Sequence, residues 1–169
     1  MRCRLAEERD LAQVQAMFHK IVDHMNATGV CIWDDVYPCA FFAEDIAHGQ
    51  LFLLEDDGGA LAAAFALSPD CEGDSVIGWQ QPDARALYLC RLGVNVERER
   101  RGVGMLAVRE AARLVRESGA QWLRLLVCER NDPAMRLYEK AGFTRGSGAF
   151  DLTFYDGSSL HEFGYELRV

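Results

Sequence analysis

Two clusters in this 169-residue chain bring together residue types that can do chemistry. The first is Glu99-Arg100-Arg101-Gly102-Val103-Gly104, where an apolar run has just ended and a helical pattern begins. A Gly-x-Gly turn at a helix head presents backbone N–H groups that have no intrahelical acceptor, with the positive end of the helix dipole behind them. That arrangement binds phosphate, and Arg100 and Arg101 add charge at its rim. The expected ligating groups are the main-chain amides of Arg101, Gly102, Val103 and Gly104. The second cluster runs Asn131-Asp132-Pro133-Ala134-Met135-Arg136-Leu137-Tyr138-Glu139-Lys140-Ala141-Gly142-Phe143. It sets a phenol, Tyr138, on a short capped helix, and a phenol can donate a proton to a leaving anion.

These residues need elements to position them. Cys3 to Ala6 suits a short strand, and Glu8 to Ala27 repeats apolar residues at helical spacing (Leu11, Val14, Phe18, Ile21, Val22, Met25) up to a stop at Gly29. A shorter helix is predicted from Pro38 to His48. Leu51–Glu55 and Ala60–Leu67 flank Asp56-Asp57-Gly58-Gly59, a hairpin signal. Ser68 to Ala84 reads as a long loop. Ala86 to Val96 reads as a strand with an irregularity at Gly93. The helix after Gly102 buries Val103, Leu106, Ala107, Ala111, Leu114 and Val115, and Gly119 ends it. Trp122 to Cys128, apolar except for Arg124, fits a central strand covered on both faces. Asn131 caps the next helix, Pro133 fits its first turn and Gly142 terminates it. Glu162 to Val169 is the predicted last strand. The order gives a single α/β domain over residues 1–169, built on one mixed, mostly antiparallel sheet flanked by about four helices.

Bulk composition narrows the class. Half the residues are hydrophobic, 26% are charged and the net charge is −8. An acidic chain argues against general nucleic-acid or membrane-surface binding and is compatible with a cationic small molecule. The six cysteines form no Cys-x-x-Cys pair and no zinc-finger spacing, so no metal and no disulfide framework is expected. The amino terminus lacks a signal-peptide pattern and no run approaches a membrane span, which places the expected location in the cytoplasm.

Together the two clusters resemble the GNAT family, the acyl-CoA-dependent N-acyltransferases. The family's phosphate-loop pattern, Arg/Gln-x-x-Gly-x-Gly/Ala, falls on Glu99 to Gly104. Its second pattern, an Asn followed by a Tyr-Glu-Lys-x-Gly-Phe ending, falls on Asn131 and on Tyr138 to Phe143. The run Leu87-Tyr88-Leu89-Cys90-Arg91-Leu92-Gly93-Val94 is similar to the family's central strand. The resemblance implies a fold with two splayed central strands, Leu87–Val96 and Trp122–Cys128, and acetyl-CoA as acyl donor with no metal. It also implies a small-molecule amine acceptor, and homodimers are common among such enzymes. The pantetheine arm would bond to the backbone of Leu92 and Val94 and to Asn131, and Tyr138 would protonate the departing sulfur. Reference pKa values of ~10 for a phenol and ~8.5 for a thiol are close enough for that donation.

Glu99 departs from the pattern, because an acid facing a pyrophosphate is unfavourable, and it is expected to turn outward. The acceptor pocket is expected from Trp33 and Tyr37, Trp79, Tyr88 and Cys90, with Phe150 and Phe154 as further walls. No strong base emerges: Tyr88 and Cys90 are poor ones at neutral pH, and Asp34, Asp35 and His48 are the other candidates. Two rival readings remain. Gly102-x-Gly104-x-x-Ala107 fits a loose dinucleotide fingerprint, but a hairpin precedes the strand and no acid lies about 20 residues on. A non-catalytic acyl-CoA sensor on the same fold is compatible with Glu99 and with the missing base.

Overall fold

The structure is a computed structural model that describes residues 1–34, 36–153 and 157–169. Its backbone groups into two compact units, Met1–Leu67 with Cys90–Glu110 and Ser68–Leu89 with Ala111–Val169. The elements are β1 (Arg2–Leu5), α1 (Leu11–Ala27), α2 (Phe42–Ala47), β2 (Leu51–Glu55), β3 (Leu61–Ser68), β4 (Ala86–Val94), α3 (Val103–Glu117), β5 (Trp122–Cys128), α4 (Asp132–Lys140), β6 (Thr144–Arg145), β7 (Phe150–Thr153) and β8 (Ser159–Arg168). This is the mixed, mostly antiparallel α/β class with four α-helices that the sequence pattern predicts. Among the described residues no helix is long and apolar enough to cross a membrane.

In the first unit the strand order is β1-β2-β3-β4, with β1/β2 and β2/β3 antiparallel. The β2–β3 turn closes on Asp56, whose Oδ1 accepts the N–H groups of Gly58 (3.0 Å) and Ala60 (2.9 Å). Leu61 to Leu67 is buried at every position, as expected of a strand covered on both faces. The α1 stripe Val14, Met17, Phe18, Ile21 and Val22 is buried, and Phe18 meets Phe42 of α2 edge-on at 4.6 Å. Gly29 leaves α1 at φ +82°, a conformation open to glycine.

β4 is irregular, and the irregularity lies two residues before Gly93. Cys90 packs against the core that contains Phe18, and a Cβ on Gly93 would come within 2.5 Å of the Phe18 ring. Positions three apart on a regular strand face opposite sides. An extra residue must therefore intervene, and Arg91, at φ +52°, supplies it. Gly93 itself is required by close packing against α1. β4 ends at Val94 rather than Val96 because Asn95 turns the chain into a 3₁₀ turn, Val96–Arg98.

In the second unit β4 runs parallel to β5 through three pairs, Ala86↔Trp122, Leu87↔Leu123 and Tyr88↔Arg124. β5 continues for four residues beyond its last rung with β4 and pairs with β8 along its whole length, Trp122↔Arg168 to Cys128↔Glu162. β8 begins at Ser159, three residues earlier than the pattern predicts, because it also carries β7 as an antiparallel partner. Asn131 caps α4 by accepting the N–H of Ala134 at 3.3 Å, and Gly142 leaves it at φ +94°.

Candidate functional site

In the first unit the loop after β4 is firmly anchored. Asn95 donates its backbone N–H to Ala62 (2.9 Å) and its side-chain Nδ2 to Leu61 (3.0 Å), while its Oδ1 accepts the N–H of Glu97 (3.0 Å). Arg98 forms an ion pair with Asp56 of the β2–β3 turn. Two acids of the loop are drawn toward α1: Glu97 Oε1 lies 3.6 Å from Lys20 Nζ, and Glu99 Oε1 lies 3.5 Å from His24 Nε2. Glu99 thus turns toward α1. Arg100 (φ +58°) and Gly102 (φ +79°) are both left-handed, so the chain doubles back into α3. The N–H of Leu106 donates to Gly102 O at 3.1 Å, so the amides of Val103, Gly104 and Met105 precede the first intrahelical bond. Arg100, Arg101 and Gly102 are exposed, Gly104 is half-buried and the Val103 side chain is buried beneath them. A turn of this kind at a helix head can present N–H groups to an anion.

Just upstream, Leu92 and Val94 are half-buried on the part of β4 beyond Arg91. Arg91 is held by a buried bidentate pair with Asp45 of α2, Nε to Oδ2 at 2.8 Å and Nη2 to Oδ1 at 2.5 Å, and its guanidinium lies 5.4 Å from the Phe41 ring centre. Trp33 stands 5.7 Å from Phe18 and 6.2 Å from Tyr37, and Tyr37 stands 5.4 Å from Phe41. These aromatics and Cys90 therefore share one neighbourhood around the first unit's core. Asp34 is engaged in a turn: its Oδ1 accepts the N–H groups of Val36 and Tyr37, both at 2.7 Å. His48 is exposed at the end of α2. Asp35 and Phe154 lie outside the described residues.

In the second unit Tyr138 sits on the buried face of α4, 8% exposed, with its ring 5.6 Å from Phe143. Trp79 and Tyr88 meet at a residue the sequence reading passed over. Asp74 Oδ1 accepts the Tyr88 hydroxyl and the Trp79 indole N–H (2.8 Å). Arg124, 1% exposed inside β5, lies 3.7 Å from the same carboxylate and 4.8 Å from the Trp79 ring centre. It donates to Gln81 O (2.6 Å), and its Nε is 3.5 Å from Glu166 Oε2 on β8. Glu166 Oε1 accepts the N–H of Gln80 at 2.7 Å. Burial, then the hydrogen bond to Asp74, pushes the Tyr88 phenol up to about 12, which makes it a donor and not a base. Phe150 fills the space beside Gly73, where a Cβ would fall 2.6 Å from its ring. On β8, burial and then the charge of Glu72 raise the Glu162 carboxyl above its ordinary range. Nothing in the local sequence marks Asp74; the register Tyr88↔Arg124 is what brings a buried cation beneath that loop.

The model of the acetyltransferase (GNAT) family matches residues 18–143. Among solved structures the chain is similar to a GNAT-family acetyltransferase of Streptococcus agalactiae, with 22% identity, 99% of this chain and 95% of that one covered, and a TM-score of 0.81. It is also similar to yncA of Salmonella typhimurium, solved with its cofactor acetyl-CoA (16% identity, 99% and 93% covered, TM-score 0.69). A third is the ribosomal-protein-S18-alanine N-acetyltransferase of Escherichia coli (19% identity, 99% and 93% covered, TM-score 0.67). None of the curated proteins matches this chain in sequence.

Proposed function

The chain belongs to the GNAT acetyltransferase family, and from that premise we propose that it is an N-acetyltransferase, one catalytic domain that moves acetyl from acetyl-CoA to the primary amine of a small molecule. The observation that carries this reading is the head of α3. Two left-handed positions, Arg100 and Gly102 on either side of Arg101, turn the chain into the first turn of α3 beside two exposed arginines, while the neighbouring acids turn to α1. On this reading the amides of Arg101, Gly102, Val103 and Gly104 take the diphosphate, and the backbone of Leu92 and Val94 takes the pantetheine arm as an added strand. Asn131 uses its side-chain oxygen as the α4 cap, so its bond to the arm comes from Nδ2. A neutral amine attacks the thioester carbonyl, the C–N bond forms, the C–S bond breaks, Tyr138 gives its phenolic proton to the leaving sulfur, and the proton shed by the acylated nitrogen restores the phenol through solvent. Presenting an alkylamine of pKa ~10 unprotonated at pH 7 costs about 4 kcal/mol, which a water chain to a carboxylate lowers. Trp33, Tyr37, Trp79, Tyr88 and Cys90 are the residues that the sequence assigns to the acceptor.

The test is a calorimetric titration with acetyl-CoA followed by CoA release over a panel of amines, with Tyr138→Phe as the control. Binding, turnover on at least one amine and a loss of 10²-fold or more in kcat for the variant are expected. Neither heat nor thermal stabilisation on adding acetyl-CoA would overturn the proposal. The burial of Tyr138 and the acid at position 99 favour one alternative, a non-catalytic acyl-CoA sensor. Tight binding with no release on any amine would select it.

A further inference from the structure

The charges of the loop after β4 are sorted by their partners. Of its five consecutive ionisable residues, Glu97, Arg98 and Glu99 each have a polar partner elsewhere in the first unit, namely Lys20, Asp56 and the imidazole of His24. Arg100 and Arg101 have none among the described residues. Lys20 and His24 are one helical turn apart on α1, so they form a two-rung edge of nitrogen donors along the loop. All four side chains of the α1 pairs are well exposed, between 42% and 71%. Exposed pairs of this kind add little to folding stability. What they fix is the direction of two carboxylates. Glu99 is bonded directly to Arg100, and released from α1 its carboxylate can swing back to pair with Arg100 or Arg101, or face the anion.

We infer that Lys20 and His24 are positioning residues, a charge clamp that holds Glu97 and Glu99 off the phosphates and leaves the two arginines to the ligand. The inference rests on the diphosphate reading of the α3 head given above. It explains how a chain can carry an acid at position 99 and still bind a polyanion: the acid is held toward a neighbouring helix. His24 matters more than Lys20, because Glu99 is the nearer acid to the α3 head.

Equilibrium titration separates the two claims without knowledge of the acceptor. Dissociation constants are measured for CoA and for pantetheine, which lacks the phosphates, on the parent chain and on His24→Gln, Lys20→Gln, His24→Lys, Glu99→Gln and the double variant His24→Gln/Glu99→Gln. Thermal melts check that each variant folds. The clamp requires His24→Gln to weaken CoA about threefold or more and to leave pantetheine unchanged. It requires Lys20→Gln to act in the same direction and less strongly, and His24→Lys to restore parental affinity. Glu99→Gln should make the His24 substitution silent. The clamp falls if His24→Gln moves both ligands equally, moves neither, or acts undiminished when Glu99 is already Gln. If the parent chain binds CoA no better than pantetheine, the diphosphate reading itself falls, and the clamp with it.

Discussion

Replacing Arg91 tests how β4 acquires its irregular geometry. The residue has two roles that different substitutions separate. Its φ of +52° is a conformation that costs a side-chain-bearing residue about 1–2 kcal/mol. Its guanidinium, 12% exposed, neutralises the Asp45 carboxylate, 5% exposed, through two hydrogen bonds. Arg91→Ala removes the cation and keeps the backbone strain. Breaking a buried pair from one side costs about 3–5 kcal/mol, because a carboxylate is left without its counter-charge. Arg91→Gly loses the same pair but relieves the left-handed position, and should be about 1 kcal/mol more stable than the alanine variant. For a chain of this length each kcal/mol moves the melting temperature by about 2–4 °C. Urea unfolding followed by far-UV circular dichroism, with thermal melts beside it, reads both quantities. If glycine proves no better than alanine, Arg91 is not a strained position. If both variants lie within about 0.5 kcal/mol of the parent, the pair with Asp45 does not hold α2 to β4, and the account of the bulge is wrong.

Two further predictions concern protons. Bidentate hydrogen bonds from Arg4 (2.6 and 2.9 Å), together with the N–H of Glu7, hold the Asp10 carboxyl at about 2. Against a reference near 3.8 this is worth about 2 kcal/mol, present above pH ~4 and lost as pH falls toward 2. Asp10→Asn should therefore lower stability at pH 7 by that order, with the deficit closing across that acid window in pH-dependent urea titrations; a constant deficit would show that packing, not charge, is responsible. Glu162 has the opposite sign. Its raised carboxyl means that folding opposes its ionisation, so Glu162→Gln should raise the melting temperature at pH 7, with the gain disappearing as pH falls below the ordinary carboxylate range; a variant less stable than the parent at pH 7 would refute the assignment.

Elements whose residues repeat with one period were legible in the sequence. The α1 stripe, the Asp56–Gly59 turn, the apolar β5 and the capped α4 all follow from local pattern and turn chemistry. The boundaries that differ do so through partners distant in sequence. β8 starts at Ser159 because β7 pairs with it, and β4 stops at Val94 because Asn95 bonds back to Leu61 and Ala62. Gly93 was the visible sign of an irregular strand, yet the residue in the unusual conformation is Arg91. An arginine at positive φ is unfavourable on local grounds and is sustained by Asp45, 46 positions away, which no window along the chain can show.

The same limit governs the chemistry. The Asn131 cap and the glycine turn at Gly102 were legible because caps and turns are local devices, readable from residue type and spacing. Asp74 was not, because its significance lies in what converges on it: an indole five residues on, a phenol fourteen on, and a guanidinium from the next strand. Trp79 and Tyr88, 6% and 5% exposed, are tied to Asp74 and so position the loop before they can shape any acceptor. The Asp74 carboxylate accepts two hydrogen bonds beside a buried cation, so its place in the fold is to hold the loop. Among the acids described here, Glu162 is one whose surroundings raise its proton affinity, through burial and the nearby charge of Glu72. Asp74 organises the loop and Glu162 holds its proton more tightly, so the two acids have different parts in the fold, and a substitution at Asp74 should loosen the loop while leaving Glu162 as it is.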